Sequence, residues 1–195
     1  MFMKTNMSKS LLALSLLVVL PNLAEAHILL GTSHGFTAGF LHPLTGWDHL
    51  LAMFAVGLWA AQHRGRALWL IPLSFVSVML LGGILGLAGV SVPGAELAIA
   101  ISVLILGGLV ATMTQFRPTL SVAVVGLFAI FHGYAHGHEM PAAAAALPFS
   151  VGFVLATALL HGLGLAAGLV LQEKPRVLRW AGAAIAASSF CFFVS

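Results

Sequence analysis

The sequence predicts an all-α fold, a polytopic membrane bundle of six transmembrane helices after a cleavable signal peptide. Three observations predict it. Of the 195 residues, 61% are hydrophobic and only 7% charged, where soluble domains carry about 25% charge. Mean hydropathy is +1.09. Apolar runs of about 20 residues, enough to cross roughly 30 Å of hydrocarbon as helix, recur between short polar breaks.

The first run differs from the rest. In "MFMKTNMSKSLLALSLLVVLPNLAEA", Lys4 and Lys9 precede an apolar stretch at 11–20 that is too short to span, and the segment closes on Ala24-Glu25-Ala26. A basic start, a short apolar middle and an A-x-A ending describe a secretory signal peptide over residues 1–26; the alternative is an uncleaved anchor. Cleavage after Ala26 makes His27 the mature N-terminus and leaves residues 27–195 as a single six-helix transmembrane domain.

Six longer stretches then qualify as crossings, at about 36–62, 67–90, 95–115, 119–138, 147–172 and 177–194. The breaks between them, "HRGR", "SVPGAE", "QFRP", "EMP" and "EKPR", carry turn chemistry. Basic residues sort to one side: Arg64 and Arg66 follow the first crossing, Arg117 the third, and Lys174, Arg176 and Arg179 surround the break after the fifth. The other two breaks hold Glu96 and Glu139 and no Lys or Arg. Cytoplasmic loops collect positive charge, so both mature termini are expected in the periplasm of a bacterial inner-membrane protein. The formal charge of +3 is accounted for by this topology, and no nucleic-acid partner is expected.

Among the 21 glycines, those in "LLGGILGLAG" and "HGLGLAAG" have the spacing of helix-packing positions. "FLHPLTGWDH" and "IFHGYAHGHE" are faintly alike, but His161 has no counterpart in the second crossing, which argues against a two-by-three-helix repeat. The single cysteine, Cys191, permits neither an intrachain disulfide nor a thiolate pair. The chemistry therefore belongs to the nine histidines and the few carboxylates.

Asp48 lies about a dozen residues into the first crossing, where a charged group costs about 2.5 to 3.5 kcal/mol to insert and so faces the protein interior. His42 and His49 are seven residues apart and project from nearly one face, about 10 Å apart in a straight helix. That is too far to share one ion at bond lengths near 2 Å. Pro43 and Gly46 lie between them, so the helix is a candidate for a break that draws the two together or makes them successive stops on one path. In "FHGYAHGHEMP", His132, His136 and Glu139 share a face at metal-ligand spacing, while His138 points elsewhere. The two groups fall at similar depth and can meet.

Other ionisable residues keep two readings each. His161 in the fifth crossing is either a later stop on the same path or a structural hydrogen-bonder. Glu96 suits a helix N-terminus through the dipole or a rim that funnels ions. His27 and His34 either capture an ion outside the membrane or belong to an unstructured tail. His63 reads as an ordinary interfacial residue.

"HPLTGWDH", a His, five residues and Asp-His, and "FHGYAHGHE", which fits Phe-His-Gly-x-Ala/Val-His-Gly-x-Glu, resemble the two motifs of the HupE/UreJ family of bacterial nickel/cobalt permeases. The resemblance extends over essentially the whole mature chain. It implies secondary transport of Ni(II), or Co(II), into the cytoplasm to supply hydrogenase or urease, with transfer to cytoplasmic metallochaperones. It also implies that His42, Asp48, His49, His132, His136 and Glu139 are the functional residues.

Imidazole and carboxylate suit nickel, cobalt, zinc or copper, and nickel binds more tightly than cobalt at such sites. No metal is expected to be bound permanently, because a permeation site must release its ion. No phosphate-binding loop is present to couple ATP. A dication entering a cell at about −100 mV gains roughly 4.6 kcal/mol, enough to drive facilitated uptake, and proton antiport stays open. Ligating histidines must be neutral, so uptake should weaken in acid. An intramembrane zinc or iron enzyme is the alternative, although the sequence lacks H-E-x-x-H and the H-x-x-H-H boxes of di-iron oxidases; bis-His haem is a third reading. The lipid bilayer is an obligatory partner, and a homo-oligomer is compatible with the sequence without being specified by it.

Overall fold

The computed structural model describes residues 35–140 and 146–193. They form seven helices: α1 (Gly35–Thr45), α2 (Trp47–Ala61), α3 (Ala67–Leu87), α4 (Ala95–Thr112), α5 (Pro118–His138), α6 (Ala146–Val170) and α7 (Pro175–Phe192). There is no strand among the described residues. Four of the helices, α3 to α6, are long and apolar enough to cross a membrane. The expected signal peptide, with His27 and His34, lies outside the described residues.

The first expected crossing is two helices, not one. Gly46 adopts an extended backbone (φ −86°, ψ 113°) between α1 and α2, and Pro43 inside α1 supplies no amide hydrogen. The His42 carbonyl, near this interruption, accepts the Thr45 hydroxyl at 2.9 Å. Helix geometry resumes at once, with the Leu50 amide donating to the Gly46 carbonyl at 2.9 Å. Asp48 falls in the first turn of α2, where a negative charge is favoured by the helix dipole.

The helices pair through small residues. The most extensive seam joins α3 to α5, followed by α4 to α7 and α2 to α6, with α1 also lying against α6. A Cβ on Gly133 would collide with the Met79 carbonyl, one on Gly164 with the Phe54 carbonyl, and one on Gly182 with the backbone of Ala111. Such close approach is the means by which helices associate where no water drives them together. In the glycine-rich segments Gly82, Gly86, Gly164 and Gly168 therefore serve packing, as their spacing suggests, while Gly89 and Gly162 face open space.

The distribution of side chains is the reverse of a soluble protein. Trp59, Phe75, Met53, Ile71 and Leu106 fill the interior, while Trp69, Leu73, Leu81, Ile84, Leu127 and Trp180 are exposed. Outward apolar faces on this scale fit hydrocarbon as the surrounding medium. At the end of α2 near Ala61, polar side chains tie helices together: Trp59 Nε1 donates to the Thr114 carbonyl at 2.7 Å and Gln172 Nε2 to that of Ala61 at 2.8 Å. His63 belongs to this layer. It is buried, donates from Nδ1 to the Trp59 carbonyl at 3.0 Å and meets the Ser121 hydroxyl through Nε2 at 3.1 Å. His63, read from the sequence as an ordinary interfacial residue, is a buried cross-link between the end of α2 and α5.

Gly133→Val is expected to push α5 off α3 and cost about 1 to 3 kcal/mol, the range for overpacking a tight interior. Gly162 has open space around it, so Gly162→Ala should leave the protein as stable or slightly more so. Thermal melting of the two purified variants compares them, and equal melting temperatures would remove the seam as a determinant of stability.

Candidate metal centre

The break at Gly46 and the last turns of α5 converge at one end of the bundle. His42, near the end of α1, has its ring 4.6 Å from that of His136, and its Nε2 lies 3.4 Å from Glu139 Oε2. His42, His136 and Glu139 each present a ligand atom, all within 4.8 Å of one another. His49, opening α2, sits beside them, with its ring 4.3 Å from His136 and 5.1 Å from His132. The rings of His42 and His49 are 6.5 Å apart. The expected juxtaposition of the two motifs is thus present, in two tiers that share His136.

Hydrogen bonding sets the direction of two of these rings. Asp48 Oδ1 accepts from His49 Nδ1 at 2.7 Å and from the His49 amide at 2.8 Å. His132 Nδ1 donates to the Phe128 carbonyl at 3.0 Å. A neutral imidazole that donates through Nδ1 keeps its lone pair on Nε2, and the Nε2 atoms of both His49 and His132 are buried without a partner among the described residues. His136 has no hydrogen-bond partner on either nitrogen among the described residues. Buried polar atoms are almost always satisfied, so this concentration of open imidazole nitrogens marks a place built for something else to bind.

The geometry also separates roles that residue spacing could not. Asp48 stands behind His49 as the carboxylate that orients it, an arrangement typical of metal-binding histidines, while Glu139 is the carboxylate beside the imidazoles. Gly46 keeps space open here: a Cβ would lie 3.1 Å from Asp48 Oδ1 and 3.2 Å from His49 Nδ1, tight enough to crowd both side chains. Within "FHGYAHGHE" the glycines and histidines do different work. Gly133 and Gly137 press α5 onto Met79 and Gly83 of α3, and that contact aims His132 and His136 at α1 and α2. His138, exposed, stacks on Tyr134 with rings 5.9 Å apart and lies away from the cluster. His161 is buried but in a different layer, against Phe75. Glu96 is exposed in the first turn of α4.

Sequence reasoning missed the aromatic wall. Phe153 packs 4.1 Å from the His136 ring, Phe149 lies 5.8 Å from that of His42, and the two phenyl rings stack. Their spacing of four residues in α6 was a usable signal, though in an apolar helix it does not stand out. A cavity of ≈ 240 Å³ opens beside His136, bordered by Met79, Gly83, Met140 and Phe153. The site is therefore a set of nitrogen and oxygen donors held against an apolar wall, a donor set suited to a borderline divalent ion such as Ni(II), Co(II) or Zn(II).

Comparison with known proteins finds both a family and a relative. Residues 14–192 match the family described as "HupE / UreJ protein". Protein HupE of Rhizobium leguminosarum bv. viciae is 42% identical over 179 residues, which cover 91% of this chain and 93% of the relative. No solved structure matches the chain.

Removing the charge behind the hydrogen bond that orients His49, by Asp48→Asn, is expected to weaken divalent-metal binding about 10- to 100-fold. His136→Ala should weaken it further, and His138→Ala should leave it intact. Equilibrium dialysis of the purified full-length variants against Ni(II) or Co(II) measures all three, and indistinguishable affinities would dissociate the cluster from metal binding.

Proposed function

The chain belongs to the HupE/UreJ family, and from that premise we propose that it is a secondary transporter taking up Ni(II), with Co(II) as a competing substrate, across the bacterial inner membrane. The observation that carries this reading is the convergence of His42, His136 and Glu139 at the mouth of a helical bundle, with His49 and His132 behind them. In this reading α1 and α2 together make the first of six crossings, a signal peptide precedes them, and both mature termini are periplasmic. The metal passes to cytoplasmic metallochaperones and supplies enzymes such as hydrogenase or urease. The intramembrane zinc or iron enzyme draws no support from the family.

Exposure falls along the cluster in the order a hydrated ion would meet it. The Glu139 side chain is 53% exposed and that of His42 26%, that of His49 12%, and His136 and His132 are 3% and 0% exposed as residues. A carboxylate at the rim attracts the hydrated dication. The imidazoles then replace its water one at a time, which divides the dehydration cost into steps. His49 and His132 offer Nε2 lone pairs already aimed by Asp48 and by the Phe128 carbonyl, so little reorganisation accompanies the transfer. Neutral ligands bind weakly enough to release. The inward step is driven by the membrane potential, worth about 4.6 kcal/mol for a dication at roughly −100 mV, and by trapping of the metal in the cell.

Accumulation of radiolabelled nickel in cells expressing the wild type, Asp48→Asn or His132→Ala tests this reading. Both variants should accumulate about tenfold less than the wild type, in line with the loss of an aligned ligand, and excess cobalt should compete in the wild type. Equal accumulation in all three, at equal membrane expression, takes the transport role away from these residues.

A further inference from the structure

Two histidines lie deep in the bundle outside both motifs, and they differ in one respect. His63 has a hydrogen-bond partner on each ring nitrogen, the pattern of a structural residue. His161 is 3% exposed and has no partner on either nitrogen among the described residues. A neutral imidazole carries one donor and one acceptor, and burying both without a protein partner is a cost that packing alone does not explain.

Its position is informative. The Phe75 ring meets His132 edge-on at 5.4 Å and meets His161 edge-on at 5.1 Å, so the two imidazoles abut the same phenyl ring. The backbone of His161 lies against Gly57, which is eight residues beyond His49 and so about 12 Å further along α2. One turn from His161 on the same face of α6, Thr157 is fully buried, and its hydroxyl lies 3.9 Å from the Met79 sulfur. Met79 is itself one turn from Phe75 on α3. An oxygen and a sulfur donor are thus placed between the level of the motif histidines and that of His161.

We propose that His161 is the ligand of a second, inner station for the transported divalent cation, reached from His132 past the edge of Phe75. This inference rests on the transport reading. It extends the path from the rim of the bundle to the layer where α2, α4 and α6 are tied together near Ala61. The station takes a borderline divalent ion through one imidazole nitrogen, with water filling the remaining positions. Thr157 and Met79 offer transient contacts on the way. A single protein ligand holds the ion loosely, as a station before release should.

The test uses the full-length protein in proteoliposomes with an imposed inside-negative potential. It compares wild type, His161→Ala, His161→Gln and His161→Cys for the initial rate of Ni(II) influx, and in detergent for equilibrium Ni(II) binding and thermal melting. Expected is an influx rate lowered at least about tenfold in the Ala and Gln variants, while binding at the His42, His136 and Glu139 cluster changes little. The Cys variant, which restores a metal ligand, should recover part of the rate. Wild-type influx in either the Ala or the Gln variant overturns the proposal, and so does a loss of binding that parallels the loss of rate, which would make His161 a support for the outer cluster. A wild-type protein that moves no nickel under these conditions overturns the transport reading itself, and the inner station with it.

Discussion

A continuous helix through residues 35–61 would separate His42 and His49 by about 10 Å along its axis; the extended backbone at Gly46 sets their rings 6.5 Å apart instead. The arrangement of the site follows from that interruption. It lets α1 end with His42 beside His136 and Glu139, and lets α2 begin with Asp48 and His49 in its first turn, where the dipole favours the carboxylate. Irregular backbone at membrane depth is tolerated only where protein or a polar cavity satisfies it. Here the Thr45 hydroxyl, donating to the His42 carbonyl, meets part of that requirement. A Cβ at Gly46 would crowd both the Asp48 carboxylate and the His49 ring, so the same residue supplies the bend and the space.

The facing wall depends on close packing. Seams at Gly133 and Gly137 hold α5 against α3, and those at Gly57 and Gly164 hold α2 against α6. Without large side chains between them, the helices approach until backbone meets backbone, and the orientation of the histidines becomes a consequence of which residues are small. In "FHGYAHGHE" each inward histidine is followed by a glycine on the packing face. Periodicity and chemistry are therefore one constraint: inserting a single residue between Gly133 and His136 would rotate the histidine out of the cluster by about 100°.

Much of this was legible in the sequence. The apolar runs located α3 to α6, the i, i+3 and i, i+4 spacings put His132, His136 and Glu139 on one face with His138 off it, and Pro43 with Gly46 signalled the break. Other features were hidden for physical reasons. When nearly every position of a helix is apolar, periodicity no longer tells which face meets which neighbour, so the Phe149 and Phe153 wall and the α1 to α6 pairing could not be read. Whether a carboxylate binds an ion or orients a histidine depends on a hydrogen bond to the adjacent ring, so Asp48 and Glu139 looked equivalent. For His161 the sequence left a stop on the path and a structural role equally open, and for His63 it gave only an interfacial place. Their partners, Ser121 and the Trp59 carbonyl for His63 and none among the described residues for His161, separate the two further.

A site that must let its ion go cannot be as closed as one that keeps it. The ligand atoms of His42, His136 and Glu139 lie within 4.8 Å of one another, and donors bound to one ion at about 2 Å lie no more than roughly 4 Å apart. Gathering all three on a single ion therefore takes less than about an ångström of adjustment, which side-chain rotation supplies. Both helices that carry the site are held by glycine seams, α1 to α6 through Gly39 and Gly152 and α5 to α3 through Gly133 and Gly137, so the adjustment falls on side chains. Binding energy is then partly spent on closing the site, which limits affinity and returns the same energy when the ion leaves. The Glu139 and His42 side chains, 53% and 26% exposed, have the room to adjust, and the buried His132 and His136 are the frame against which they close.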